Sequence, residues 1–139
     1  VSQASFTPPG ITVAVAKDRA IESYMQVGEG FVVNILREDN YQKMFRHFLK
    51  RFAPGADRFA DVDVINNIAD GGPVLCDSLA FLDCKVSSRL ETPDHWIIYG
   101  VVENGSVSDL SCKTAVHHRK VANHYWPDFI SKVLNKFFW

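Results

Sequence analysis

The stretch "PVLCDSLAFLDCKVSSRLETPDHWIIYGVVENG", Pro73 to Gly105, decides the fold class. From Leu79 onward its side chains alternate with the two-residue period of a strand. Leu79, Phe81, Asp83, Lys85, Ser87 and Arg89 share one face, opposite Ala80, Leu82, Cys84, Val86 and Leu90. "TPDH" then turns the chain into a second long strand, "WIIYGVVENG", which the hairpin-favouring pair Asn104-Gly105 is expected to close. Long antiparallel strands joined by tight turns imply a curved sheet or barrel around one packed interior.

Upstream, Ile11 to Ala16 reads as a short buried strand. Asp18 is placed to cap a helix that starts near Arg19, runs through "RAIESYMQ" and is broken by Gly28 and Gly30. "FVVNIL", Phe31 to Leu36, is β-branched and aromatic enough for another strand. In "YQKMFRHFLKRF", Tyr41, Met44, Phe45, Phe48, Leu49 and Phe52 recur at three- and four-residue steps, which predicts an amphipathic helix with a solvated face of Lys43, Arg46, Lys50 and Arg51. "APGADRFADVDVINNIADGG" carries Pro, Gly and Asp punctuation and is expected to be a long surface excursion. At the other end, "WPDFISKVLNKFFW" sets Phe129, Ile130, Val133, Leu134 and Phe137 on one side of a short helix after Pro127.

Composition narrows the function classes. A chain of 139 residues is the size of one domain, and 47% hydrophobic with 22% charged residues fits a folded globular chain rather than a disordered or membrane-resident one. Fifteen basic and 16 acidic residues leave a formal net charge of -1, so there is no broad footprint for nucleic acid or anionic lipid, and any anion site is local. No apolar run approaches the roughly 20 residues needed to span a bilayer. The three cysteines, Cys76, Cys84 and Cys112, share no CxxC spacing and read as reduced thiols in a cytoplasmic compartment. The chain opens without Met on "VSQASF", which alternates like the end of a strand and reads as a piece of a longer polypeptide.

"SFTPPGITVAVAKDRAIE", Ser5 to Glu22, admits two readings. Ser5 and Thr7 satisfy backbone groups in a proline turn while Lys17 and Arg19 are surface cations. Alternatively, the amides at a helix start together with Lys17 and Arg19 form a phosphate site. Neither a Walker loop nor a dinucleotide glycine pattern occurs.

"VSQASFTPPGITVAVAKDRAIE", "GFVVNIL", "HFLKRF", "GGPVLCDSLAFLDCKV", "DHWIIYGVV" and "AVHHRK", taken in order, resemble the flavin reductase-like family of FMN-binding split β-barrels. The resemblance is closest to the C-terminal flavin reductase module of cyanobacterial-type flavodiiron proteins. It implies a mainly β, α+β fold: a split barrel over residues 1–125 with flanking helices, lacking its N-terminal strand, followed by a helical tail at 126–139. It implies FMN as cofactor, with Gln3, Ala4, Ser5 and Thr7 along the isoalloxazine and ribityl chain. Lys17, Arg19 and the amides of Arg19 and Ala20 would then receive the phosphate. Asp94, His95, His117, His118 and Arg119 match places near the flavin or nicotinamide face. No metal is expected at the His117–Arg119 cluster, because no further ligands accompany it at suitable spacing.

The implied chemistry is hydride transfer from NAD(P)H to FMN with no protein nucleophile. Electrons would pass on to flavodoxin-like and di-iron modules of the same longer chain, which reduce oxygen to water, and the module would be a homodimer. The competing readings are a non-catalytic split barrel serving dimerisation or docking, and a flavin or haem binder of a related barrel family without reductase activity.

Overall fold

The computed structural model describes residues 1–53 and 55–115; the cluster His117, His118 and Arg119 and the tail 126–139 lie outside the described residues. The two long strands expected from the alternating stretch are β6 (Ser78–Glu91) and β7 (His95–Val107), paired antiparallel across the Thr92–His95 turn. Around them lie β1 (Ser2–Phe6), β2 (Pro9–Ala16), β3 (Gly30–Leu36), α1 (Tyr41–Phe48), β4 (Val64–Ile65) and β5 (Val74–Leu75). One five-stranded sheet runs in the order β1-β2-β7-β6-β3, every neighbour antiparallel, and β4 and β5 form a small second sheet.

The alternation of β6 survives folding because both of its faces are covered. Cys84 and Val86 point into the main core with Ile11, Val15, Met25, Phe31 and Ile98, where Ile98 has no exposed surface. Leu79, Phe81 and Asp83 are buried on the opposite face. There the Asp83 carboxylate accepts the amides of Asp70 and Gly71 at 2.8 and 3.0 Å. Register shifts between Asp83 and Cys84 and between Val86 and Ser88 interrupt the ladder. Such bulges bend a strand and increase its twist, which curves the β6–β7 ribbon around its core.

Three expectations are corrected. Asn104-Gly105 is not a turn: Asn104 pairs with Asp83, Gly105 with Leu82, and β7 runs on to Val107. The pair lies just past the first bulge, and a Cβ on Gly105 would come within 2.7 Å of the Phe81 carbonyl, so the glycine serves a close strand approach. The segment after Asp18 is not an α-helix but a 3-10 turn, Ala20–Tyr24, whose N-cap is Arg19 and which has no side-chain cap bond. Ile21 and Tyr24 are exposed and no residue of the turn is buried, so it lacks the apolar face that would stabilise a longer helix. The excursion 53–72 is not wholly a surface loop. Val62 is buried with Met44 and Leu75, and Phe48, Phe59 and Val64 pack around them. Among the described residues no helix is long and apolar enough to cross a membrane.

Candidate functional site

Strand register decides which of the expected site residues meet. Ala16 pairs with His95, and the Lys17 amide donates to the Asp94 carbonyl at 3.0 Å. Lys17, Asp94 and His95 are therefore brought together at one end of the sheet, although Lys17 and Asp94 lie 77 positions apart in the chain. The Thr92 hydroxyl fixes this corner by accepting the His95 amide at 3.0 Å. His95 Nδ1 lies 2.8 Å from Asp94 Oδ1, and that hydrogen bond holds the Asp94 carboxyl below its ordinary range.

Gln3 and Ser5 lie toward the other end of β2, paired with Ile11 and Gly10, with Ala4 at the register shift between them. At roughly 3.4 Å per residue, the Gln3 row stands about 20 Å along β2 from Lys17. Thr7, at the hairpin turn, is farther away. The structure thus separates the hydroxyl-bearing turn from the cations. A ligand touching both Lys17 and Gln3 has to be elongated along the β1–β2 ribbon. Since β1 is an edge strand, alternate backbone N-H and C=O groups of Ser2–Phe6 face away from β2 and are open to such a ligand.

The cationic end is already partnered. Lys17 Nζ bonds Glu91 Oε1 at 2.7 Å and sits 5.4 Å from the centre of the Trp96 ring. Arg19 Nε is 3.6 Å from Asp18 Oδ1. The Arg19 amide, expected as an anion donor, instead donates to the Ala16 carbonyl at 3.1 Å, which closes the turn. Ala20, the first residue of the 3-10 turn, is exposed. Two cations near an open strand edge suit an anionic end group, provided Lys17 exchanges Glu91 for it. The donors, two cations and an open strand edge, have the chemistry of a site for an elongated ligand with an anionic end.

Beneath these residues is a group the sequence reading missed. Arg89, with 9% of its side chain exposed, bonds both Glu22 and Gln26 and lies 4.1 Å from the Trp96 ring centre. It ties the 3-10 turn to the sheet. Its partners lie 63 and 67 positions away, and on a strand that also carries Asp83, Lys85 and Glu91 no local pattern singles Arg89 out. Asn34, within β3, is held by two hydrogen bonds: it donates to the Pro73 carbonyl at 3.3 Å and accepts the Leu75 amide at 2.8 Å.

The flavin reductase like domain family matches residues 1–124. The chain belongs to that family. It is 63% identical over 125 residues to diflavin flavoprotein A 1 of Synechocystis sp., a match that covers 90% of this chain and 22% of that protein. A putative diflavin flavoprotein A 1 of Nostoc sp. is 57% identical over the same length and share. The flavin reductase-like chain thus spans about a fifth of these relatives, as one module of a longer polypeptide does. Among solved structures it resembles the Streptomyces globisporus C-1027 NADH:FAD oxidoreductase SgcE6, with a TM-score of 0.73 and 26% identity over 81% of this chain and 66% of that one. The flavin reductase HpaC complexed with NADP+ is similar at a TM-score of 0.63 and 25% identity, over 76% of this chain and 64% of that one. The family's mainly β fold is the one described above.

Proposed function

We propose that this flavin reductase-like module binds FMN along its β1–β2 ribbon and serves as an NAD(P)H-dependent flavin oxidoreductase. The observation that carries the reading is the placement of Lys17 and Arg19 at one end of that ribbon and of the polar edge Gln3–Ser5 toward the other. Lys17 and Arg19 bind the phosphate, with the exposed residue Ala20 beside them. The outward backbone groups of Gln3, Ala4 and Ser5 orient the remainder of the cofactor. Thr7 belongs with the turn that sets the ribbon's register. Asp94 and His95 border the phosphate end, where the Asp94 carboxylate keeps a hydrogen bond from His95 and limits how much negative charge the corner accepts.

When bound, FMN supplies the hydride chemistry, accepting from NAD(P)H and passing electrons on. In the longer parent chain, a flavodoxin-like module and a di-iron module that reduces oxygen to water are the proposed acceptors. Similarity to a diflavin flavoprotein, to an NADH:FAD oxidoreductase and to a flavin reductase complexed with NADP+ supports the flavin and nicotinamide part of this reading. A ligand on an open sheet edge also favours a homodimer in the cytoplasm whose second copy shields the cofactor from water.

The decisive experiment titrates the purified chain with FMN, followed by flavin fluorescence, in the wild type and in a Lys17→Ala/Arg19→Ala double variant. Hydrogen bonds to charged groups contribute about 1.5–3 kcal/mol each. Because Lys17 gives up Glu91 on binding, the pair is expected to be worth about one such bond, a roughly ten- to hundredfold loss of affinity. Equal binding by both proteins, or none by a folded wild type, overturns the reading. The Lys17–Glu91 ion pair favours a second reading, a docking module in which Lys17 is structural. A yellow protein that oxidises NAD(P)H excludes it.

A further inference from the structure

At the corner that holds Lys17, the apolar face of the sheet gives way to charge. Val15, Trp96 and Glu91 are successive register partners across β2, β7 and β6, so their side chains stand in one row on one face. Val15 is buried in the main core and Trp96 packs against that core, half-buried. Glu91 stands two strands away from β2, roughly 10 Å at the usual strand spacing. Lys17, two residues beyond Val15, crosses the indole to reach it: the ammonium is 5.4 Å from the Trp96 ring centre and 2.7 Å from Glu91 Oε1.

The charges around Trp96 are held unequally. Arg89, on the same strand as Glu91 and against the same indole, is committed to Glu22 and Gln26 and has a side chain only 9% exposed. The Lys17–Glu91 pair faces water, with side chains 31% and 65% exposed, and such pairs are weak enough to exchange. Glu91 thus brings a negative charge to the same ammonium that is assigned to the phosphate. Two anions do not share one ammonium at full strength, and a displaced carboxylate standing beside a phosphate repels it. A ligand with no charged end makes no demand on Lys17 and leaves the pair intact.

We propose that Glu91 determines specificity at this site as a built-in competitor for Lys17: it weakens the binding of phosphorylated flavin and leaves that of unphosphorylated flavin unchanged. The inference rests on the reading of Lys17 as a phosphate ligand. It means that the preference for FMN over riboflavin is held below what the cations alone would give. Lys17 has a partner waiting whenever the phosphate leaves, which keeps FMN exchangeable.

The test titrates five proteins with FMN and with riboflavin at one ionic strength, followed by flavin fluorescence: wild type, Glu91→Gln, Lys17→Ala, Lys17→Ala/Glu91→Gln and Asp77→Asn. Glutamine keeps the shape of an exposed side chain at the end of β6, so the fold stays. Asp77, exposed just before the opposite end of β6, controls for the loss of one unit of negative charge. Glu91→Gln is expected to bind FMN about two- to fivefold more tightly than wild type, the size of an exposed ion pair. Its riboflavin affinity should equal that of wild type, and Asp77→Asn should match wild type for both ligands. On the Lys17→Ala background the same replacement should change FMN affinity by less than half as much, because the contested ammonium is gone. FMN bound by wild type but no more tightly by Glu91→Gln overturns the inference alone, and weaker binding by that variant would make Glu91 a group that positions Lys17. Equal tightening on both backgrounds also overturns it, since that assigns the effect to overall charge. Absence of FMN binding in wild type and Glu91→Gln alike removes the phosphate reading and this inference with it.

Discussion

Arg89 holds the 3-10 turn and the sheet together through Glu22, Gln26 and Trp96. Replacing it with Ala leaves Glu22 without its cation and Trp96 without its stacking partner. Charged hydrogen bonds and a shielded cation-π contact together predict a loss of about 2–3 kcal/mol, read as a lower urea midpoint with unchanged slope. Arg89→Lys is expected to recover only part of that, since an ammonium cannot fork to two acceptors while lying flat on an indole. The cysteines are graded by burial. Cys76 is exposed, whereas Cys84 is 2% exposed and burial pushes its thiol up to about 11. A thiol whose folded pKa is raised favours the folded state below its ordinary value of 9.0 and loses that contribution as pH climbs toward 11. Stability is therefore expected to fall between pH 9 and 11, and a Cys84→Ala variant to show a flatter decline in that window. Mass-spectrometric alkylation at pH 8 should label Cys76 and leave Cys84 untouched until the chain unfolds.

At the scale of elements, the loop 70–72 and the start of β3 touch backbone to backbone. A Cβ on Gly71 would lie 2.4 Å from the Phe31 amide nitrogen and 2.5 Å from its carbonyl carbon. No side-chain rotation relieves a contact with backbone, so Gly71→Ala has to pull the loop off β3 and weaken the two amide bonds to Asp83. Overpacking of this kind costs about 1–3 kcal/mol, and thermal unfolding measures it. The neighbouring Gly72→Ala tests a different cost, because its φ of 136° is open to glycine while nothing crowds its Cβ. These elements also mark what the sequence disclosed. β6 was legible because its alternation was long, and α1 because its apolar residues kept helical spacing. Asn104-Gly105 misled because a turn-favouring pair is local information, whereas the pairing partners Asp83 and Leu82 outbid it through the ladder. The stretch after Asp18 misled because a cap signal cannot by itself supply a buried face. The meeting of Lys17 with Asp94 and His95 followed from the register of β2 on β7, which no local pattern encodes.

For the whole molecule, a ligand that binds only the folded chain raises its stability by mass action. At a hundredfold excess over Kd the gain is about 2.7 kcal/mol, which for a chain of this length raises Tm by roughly 8–12 °C. FMN is expected to produce such a shift in the wild type and a clearly smaller one in Lys17→Ala/Arg19→Ala, by differential scanning calorimetry. No shift in either protein would count against the flavin assignment independently of the fluorescence titration. The order of the sheet has a consequence of another kind. β2 lies beside β7, so Gly10 waits for Val101 and Ala16 for His95. The β6–β7 hairpin closes locally, but the central β2–β7 seam joins parts of the chain made far apart in time. At about 5–20 residues per second of synthesis, the apolar run Ile11–Val15 leaves the ribosome roughly 4–18 s before its partner strand exists. During that interval β1 is the one sheet neighbour available to pair with β2, and of its core partners Met25 and Phe31 are made but Cys84, Val86 and Ile98 are not. The newborn β1–β2 hairpin is thus the stretch where a chaperone would have to stand guard.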